Sequence, residues 1–237
     1  MNLGELKQMV RASVPNAVSS KVGNEVLEIV INQSAIVIAG VTMCLPKNTT
    51  FNIVAETADY NLSTIASDYL GIDKSGVHWY DSTQWMKLYP RNLKFMDENH
   101  SRWRDDDSAD PKRFFLRGNI LTLHPKPDTS GTDYGWLYYY AKGSKMTLNT
   151  HYPFHITDTQ TTAIPHLVVL SDTIIKYGIV YLYRMLRNEL KIGEDTIVLA
   201  ENEYKKDLVE KRGLIQKNLA MFYDSENKMR GERKSVR

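Results

Sequence analysis

Histidines and aspartates are the residues of this chain whose types and spacing are best suited to metal chemistry. His151 and His155 are four residues apart, which is the spacing that places two metal ligands on one face of a helix. Pro153 lies between them and disfavours a helix, so a loop or strand is favoured over a metal site. Asp105, Asp106 and Asp107, with Asp110, offer the oxygen ligands that calcium prefers, but they lack the calcium-loop signature. The sequence therefore favours a solvated loop and predicts no metal site.

The chain contains no sequence motif for phosphate cradling, dinucleotide binding, a nucleophile elbow or a zinc helix. We therefore expect no catalytic residue and no cofactor, and we predict that the protein is not an enzyme. Lys and Arg number 30 against 28 Asp and Glu, so the net charge of +2 does not support nucleic-acid binding by the chain as a whole. Any basic function must be local.

An aromatic segment is the other candidate binding surface. Trp136, Tyr138 and Tyr140 alternate along a predicted strand and therefore share one face, while Tyr139 points to the other. Such a face suits the stacking of a carbohydrate or a single-stranded nucleic acid, but a strand core or a protein interface uses the same residues and is favoured. Further aromatic residues of the region are Trp79, Tyr80 and Trp85.

The helices and strands that must position these residues are predicted from the spacing of apolar residues, which is helical in some segments and alternating in others. Apolar residues at helical spacing predict helices over 3–14, 21–45, 165–186 and 195–222. Between them, residues 50–54, 77–80 and 134–141 read as strands, and Gly118-Asn119 joins residues 114–117 and 120–124 in a hairpin. We predict an α+β fold, in which a helical body formed by N- and C-terminal helices carries an inserted antiparallel β-rich module.

The predicted boundaries follow from these patterns. The discontinuous helical body comprises residues 1–46 and 163–223, the β-rich insertion spans 47–162, and a basic C-terminal tail spans 224–237. The apolar stretches are broken short of the ~18 positions of a membrane span, and the N-terminus does not resemble a signal peptide. The single Cys44 cannot form an internal disulfide and reads as a core residue. We expect folding in a reducing cytoplasm and no membrane contact.

The C-terminal segment has two readings. It is either a solvated tail or an arm that becomes ordered on a partner. Its basic residues are Lys228, Arg230, Arg233, Lys234 and Arg237, against Glu226 and Glu232.

The order of several short stretches resembles the head-to-tail adaptor (connector) proteins of tailed bacteriophages. The resemblance covers roughly residues 20 to 190. Its stretches are Val26-Leu-Glu-Ile-Val-Ile-Asn-Gln-Ser34, Tyr60-Asn-Leu with Asp68, Val77-His-Trp79, and Gly118-Asn-Ile-Leu-Thr-Leu-His-Pro-Lys-Pro127 leading into Leu137-Tyr-Tyr-Tyr140. The chain departs from the family at Ser63, where proline is frequent, and in its longer C-terminal region.

The resemblance implies a structural virion protein at the neck of the particle, made in the host cytoplasm. Family members form a ring, usually of twelve copies, between the portal protein and the tail or nozzle proteins, around a channel through which genomic DNA passes without sequence recognition. By the same analogy the C-terminal region docks on the portal, through Phe222, Tyr223, Lys228, Arg230, Arg233, Lys234 and Arg237. The alternative is a β-rich module that binds carbohydrate or single-stranded nucleic acid.

Overall fold

The computed structural model describes residues 1–14, 22–100, 102–154 and 165–234, with the backbone alone for 165–166 and 218–234. It divides into a helical unit, Met1–Leu45 with Lys142–Arg237, and a β unit, Pro46–Ala141. The predicted α+β class with a β module is confirmed. In chain order the elements are α1 (Leu3–Ser13), α2 (Asn24–Thr42), β1 (Pro46–Ile53), β2 (Asp59–Asn61), α3 (Leu62–Ile65), β3 (Tyr69–Tyr80), β4 (Trp85–Lys87), β5 (Tyr89–Pro90), α4 (Leu93–Asn99), β6 (Arg113–Arg117), β7 (Ile120–His124), β8 (Gly131–Ala141), a 3₁₀ helix (Pro165–Leu170), α5 (Ser171–Met185), α6 (Arg187–Leu190) and α7 (Glu194–Lys234).

Helix α2 forms the centre of the helical unit and contacts α1, α5 and α7. Its inner residues Val30, Ile31 and Ile38 are fully buried. Helix α5 approaches closely at Gly178, where an added Cβ would lie 3.5 Å from Val30 Cγ1. An added methyl group would therefore make ordinary van der Waals contact with α2, which shows how closely the two helices pack at this glycine. Just past the helix, Cys44 is fully buried, as predicted, and burial raises the pKa of its thiol to about 11.

By length and composition alone, α2 is long and apolar enough to cross a membrane. This differs from the expectation that the apolar stretches are broken short of the length of a membrane span. The mean hydropathy of α2 is 1.5 over the 18-residue window, half of which is buried within the fold. A core helix of a globular unit passes the same test, and the packing of α2 against three other helices accounts for its apolar composition.

The segment that follows β8 belongs to the helical unit, so the β unit ends at Ala141 and not at residue 162 as predicted. Backbone amides at the start of α1 explain this: Leu3 N–H donates to His151 O over 2.8 Å, and Gly4 N–H donates to Asn149 O over 3.0 Å. The Asn32 side chain of α2 donates to Met146 O and accepts from Met146 N–H. These bonds tie an irregular segment, which has no helical pattern of its own, to two helices.

The β unit contains two four-stranded sheets, with strand orders β1-β8-β3-β4 and β2-β7-β6-β5. The predicted hairpin is present as β6 and β7, and Gly118 at its turn has a φ of +59°. The predicted third strand, β8, does not join that hairpin. It lies between β1 and β3 in the other sheet, antiparallel to both.

The core of the β unit contains the inner faces of both sheets. Val77, Trp79 and Leu137 of the first sheet are almost fully buried, as are Leu121 and Leu123 of the second. The rings of Phe51 on β1 and Tyr60 on β2 meet edge to face at 5.5 Å. The Phe51 ring also covers Gly135, where an added Cβ would lie only 2.4 Å from it, so only glycine fits at this position of β8.

Helix α7 continues to Lys234, whereas the sequence predicted a separate tail from residue 224. The spacing of charges explains the difference. Asp224 precedes Lys228 by four residues and Glu226 precedes Arg230 by four, an order that stabilises a helix by about 0.2–0.5 kcal/mol per pair. A charged segment of this kind has the composition of a solvated tail and the spacing of a helix.

Candidate functional site

The residues predicted to dock on a partner lie along the last turns of α7. The helix backbone includes Phe222, Tyr223, Lys228, Arg230, Arg233 and Lys234, while Arg237 falls outside the described residues. Spacings of three and four residues place positions 230, 233 and 234 on one side of the helix. The fold therefore brings most of the predicted basic residues onto one helix.

The first half of α7 is anchored to the helical body by buried and charged contacts. Asp207 accepts hydrogen bonds from the Thr173 hydroxyl and, over 2.9 Å, from Lys176 Nζ, both on α5. Burial raises the pKa of Asp207, but the Thr173 hydrogen bond and the Lys176 charge outweigh it and hold the pKa below its usual 3.8. The rings of Tyr177 and Tyr204 pack at 4.8 Å nearby. These contacts fix α7 on α5 at its middle turns.

The anchorage continues to the end of the part of α7 whose side chains are described. Ile215 is fully buried, and Gln216 Nε2 donates to Thr42 O at the end of α2 over 2.8 Å. Beyond Gln216 the helix has 18 further residues, 217 to 234, which span about 27 Å at the helical rise. A body-anchored half and a basic C-terminal half thus share one continuous helix.

The aromatic face predicted from β8 is present on the outer side of the first sheet. Trp136, Tyr138 and Tyr140 are half-buried there, whereas Tyr139 lies on the buried inner side, as predicted. The Trp136 and Tyr138 rings are stacked with centroids 5.4 Å apart and planes 14° apart. Trp85 on β4 meets Trp136 edge to face at 5.2 Å. Each of these two rings therefore covers one face of the other.

The remaining aromatic residues divide between core and surface. Trp79 is buried in the core of the β unit, while Tyr80 packs against Trp85 with ring centroids 5.2 Å apart on the outer side. On the inner side, Tyr139 donates to the carboxylate of Asp68, which also accepts from Lys47. Burial and the neighbouring Asp68 carboxylate raise the pKa of Tyr139, because both disfavour the phenolate.

The aspartate cluster contributes a contact to a buried histidine. Asp106 accepts from His124 Nε2 over 2.9 Å, and Trp103 packs edge to face on the His124 ring. Burial lowers the pKa of His124, although Asp106 opposes this, so the imidazole is neutral at physiological pH. Over the described ranges no group of three or more His, Cys, Asp or Glu is arranged to hold a metal ion. His151 and His155, for which the sequence favours a loop or strand over a metal site, are untested as a pair, because His155 lies outside those ranges.

Sequence reasoning missed a groove on the β unit that combines cations with apolar side chains. The groove has a volume of about 480 Å³, with Phe114 and Leu116 of β6 contributing apolar surface. Lys87 of β4 and Arg91 also line it. Neither the lysine nor the arginine carries a motif, and only strand pairing brings them to one place, so the sequence contains no local signal for this site.

Comparisons with protein-family models and with curated proteins found no match to this chain.

Proposed function

We propose that this protein is a structural subunit of the head-to-tail adaptor of a tailed bacteriophage, and not an enzyme. In this proposal copies form a ring that joins the portal protein to tail components and surrounds the path of the DNA. The single observation that carries the proposal is the arrangement of α7. This one continuous helix is anchored on the helical body, which N- and C-terminal segments of the chain form together. It then continues for a further 18 residues, and several of the last ones are basic.

Residues from one of the stretches on which the family resemblance rests hold elements of the β unit together, which supports the proposal. Asn61 caps α3 by accepting from Ser63 N–H over 2.9 Å, so the residue that departs from the family still takes part in the cap. Asp68 binds both Lys47 and Tyr139 and so connects three segments of the β unit. The resemblance therefore involves residues with definite structural roles in this chain.

The role of the C-terminal half of α7 follows from its charge. Basic positions at spacings of three and four along a helix suit an acidic partner surface, and contacts between opposite charges contribute specificity and association rate. A helix that is already formed loses less conformational entropy on docking than a disordered arm does. We assign portal docking to Phe222, Tyr223, Lys228, Arg230, Arg233, Lys234 and Arg237, and the body and β unit to contacts within the ring and with the tail.

The test is truncation after Tyr223. The truncated protein should lose binding to its cognate portal protein while its far-ultraviolet circular dichroism retains the signal of a folded helical body. A milder variant, Arg230→Gln/Arg233→Gln/Lys234→Gln, should weaken portal binding by about tenfold or more. Lys142→Gln/Lys205→Gln/Lys206→Gln, which removes three exposed cations outside the C-terminal half of α7, is the matched control and should bind normally.

Electron microscopy of the full chain mixed with the portal provides the second readout, and rings seated on the portal are expected. Portal binding by the truncated protein equal to that of the full chain would overturn the docking assignment. Failure of the full chain to bind any portal as a ring would overturn the proposed function itself.

The half-buried aromatic face supports a second candidate, a module that binds carbohydrate or single-stranded nucleic acid. That function predicts ligand affinity that is lost in Trp136→Ala or Tyr138→Ala, since base stacking alone contributes ~1–3 kcal/mol per base. The mutual stacking of these two rings favours a protein interface instead. Glycan-array and oligonucleotide binding of the wild-type chain distinguish the two readings.

A further inference from the structure

The cationic groove of the β unit lies along the edge where the two sheets meet. Its lining comes from β3, β4 and β6 and from residues 90–93, which run from the end of β5 to the start of α4. Phe114 is buried at the groove, whereas Leu116 and Leu93 are 40% and 36% exposed. Apolar side chains exposed in a concave site are a feature of binding surfaces.

Two cations on this groove are held in place but not neutralised. Lys87 Nζ donates to the carbonyl of Lys74 over 3.1 Å, and Arg91 donates to the carbonyl of Pro90 while its guanidinium lies 4.8 Å from the centre of the Phe95 ring. Within the described part of the chain, neither Lys87 nor Arg91 forms an ion pair. The one carboxylate that lines the groove, Asp73, is almost fully buried. The groove therefore suits an acidic occupant that also offers small apolar groups.

The acidic loop of the same unit, residues 105–110, has negative charge and small side chains that complement the cationic groove. Asp105, Asp107 and Asp110 are exposed, and none of them forms an ion pair among the residues described. Ala109 and the neighbouring Ser108 lie between them as small side chains. The loop is held at its base, where Asp106 binds His124 and Trp103 packs on Phe115 at 5.0 Å. Its three other carboxylates are thus presented on a fixed base.

The loop and the groove lie on different sides of β6. Residues 114–116 of β6 all border the groove. By alternation along the strand, the side chains of Phe114 and Leu116 share one face, and that of Phe115 lies on the opposite face, where Trp103 of the loop region packs on it. The loop of one copy cannot enter its own groove without breaking the His124 and Phe115 contacts. A contact between the two surfaces must therefore join two copies.

We propose that the acidic loop of one copy docks in the cationic groove of a second copy of this chain. Different surfaces of the two copies meet in such a contact, so it is heterologous and repeats from copy to copy until a ring closes. This inference rests on the proposed function for the closure of the ring. One loop seated in one groove would bury less surface than a stable dimer interface needs, so we expect weak association of isolated copies and stronger association on a template.

The test is a charge exchange. The wild type should self-associate at low salt and high protein concentration in sedimentation velocity, and absence of that association would overturn the contact. The groove variant Lys87→Glu/Arg91→Glu and the loop variant Asp105→Lys/Asp107→Lys should each lose it. Mixing the two variants should restore association, because each acidic groove then meets a basic loop. Asp106 stays unchanged because it binds the buried His124.

Net charge needs its own control, because replacing two cations by two anions lowers the charge of +2 by four units. Lys142→Glu/Lys206→Glu makes the same change at exposed positions that neither line the groove nor adjoin its lining residues in sequence. This control keeps the wild-type groove and loop, so it should self-associate as the wild type does, and loss of association in the groove variant alone then cannot come from its net charge. Disulfide trapping is the second measurement: Lys87→Cys mixed with Asp107→Cys should cross-link about tenfold faster than either variant alone, with the buried Cys44 thiol unreactive.

Restored association in the mixture and selective trapping support the contact. Failure of the mixture to associate, or unchanged association of the single variants, overturns it. Binding of a labelled single-stranded oligonucleotide that depends on Lys87 and Arg91, without association of copies, would replace it by a nucleic-acid site. If both charge variants still form wild-type rings on the portal, this contact is wrong while the proposed function stands; if the wild type forms no ring there, the proposed function fails instead.

Discussion

Replacing Asp207 by alanine should loosen α7 from the helical body. The change removes the acceptor of the Thr173 hydroxyl, which belongs to a fully buried residue, and of Lys176 Nζ at 2.9 Å. A hydrogen bond to a charged group contributes ~1.5–3 kcal/mol, and the Lys176 ion pair adds less than ~1 kcal/mol because its side chain is 38% exposed. We expect the free energy of unfolding of the helical unit to fall by about 2–3 kcal/mol.

Urea titration followed by far-ultraviolet circular dichroism measures this loss, because most of the helical signal comes from the helical unit. Asp207→Asn keeps an acceptor for Thr173 and should lose about half as much. Glu210→Ala removes an exposed carboxylate of the same helix and should cost less than ~0.5 kcal/mol. A loss for Asp207→Ala no larger than that of Glu210→Ala would refute the reasoning that this carboxylate anchors α7.

The loss of stability in Asp207→Ala should depend on pH. The pKa of Asp207 is lowered in the folded chain, so its stabilising contribution is fully present above the unfolded value of 3.8 and is lost as the pH falls through the lower folded value. The difference in unfolding free energy between the wild type and Asp207→Ala should therefore shrink below pH 3.8. A difference that does not change with pH would mean that the ionised carboxylate is not the stabilising form.

Two further perturbations concern the β unit. Tryptophan fluorescence reports the unfolding of this unit, because it contains Trp79, Trp85, Trp103 and Trp136. The pKa of His124 is lowered by burial, so the unfolded chain takes up the proton first and stability should fall as the pH drops below 6.5; His124→Gln should flatten this dependence. Gly135→Ala should destabilise the unit by about 1–3 kcal/mol or more, since the new Cβ meets the Phe51 ring at 2.4 Å, and Phe51→Leu in the same chain should recover part of the loss.

The elements that sequence predicts best are those specified by neighbouring residues. The β6–β7 hairpin was predictable because Gly118-Asn119 supplies the turn directly between two strands. Helix α2 was predictable from its apolar run, since 19 residues exceed any ordinary strand. The inward and outward sides of β8 followed from alternation, and Tyr139 is indeed buried while Tyr138 is not. Local periodicity determines each of these features.

Sequence patterns could not predict which distant strands pair with each other. β8 pairs with β1, although Pro46 and its partner Tyr140 are separated by nearly the whole β unit, and no local signal selects that partner. The end of the β unit was misplaced for the same reason, because segment 142–154 is assigned to the helical unit by hydrogen bonds to α1 and α2. The groove beside Lys87 and Arg91 likewise exists only once β4 and β6 are in place.

The pairing of Pro46 with Tyr140 brings the two ends of the β unit together, which affects how this unit can be separated from the rest of the chain. The β unit begins and ends on two adjacent antiparallel strands, so its two ends emerge side by side. A segment with adjacent ends can be inserted, exchanged or removed without stretching the chain that receives it. The β unit should therefore be expressible alone as residues 46–141, and a short turn between Leu45 and Lys142 should suffice to reconnect the helical unit. In recombining genomes, such a junction allows one part of a protein to be replaced while the other is retained.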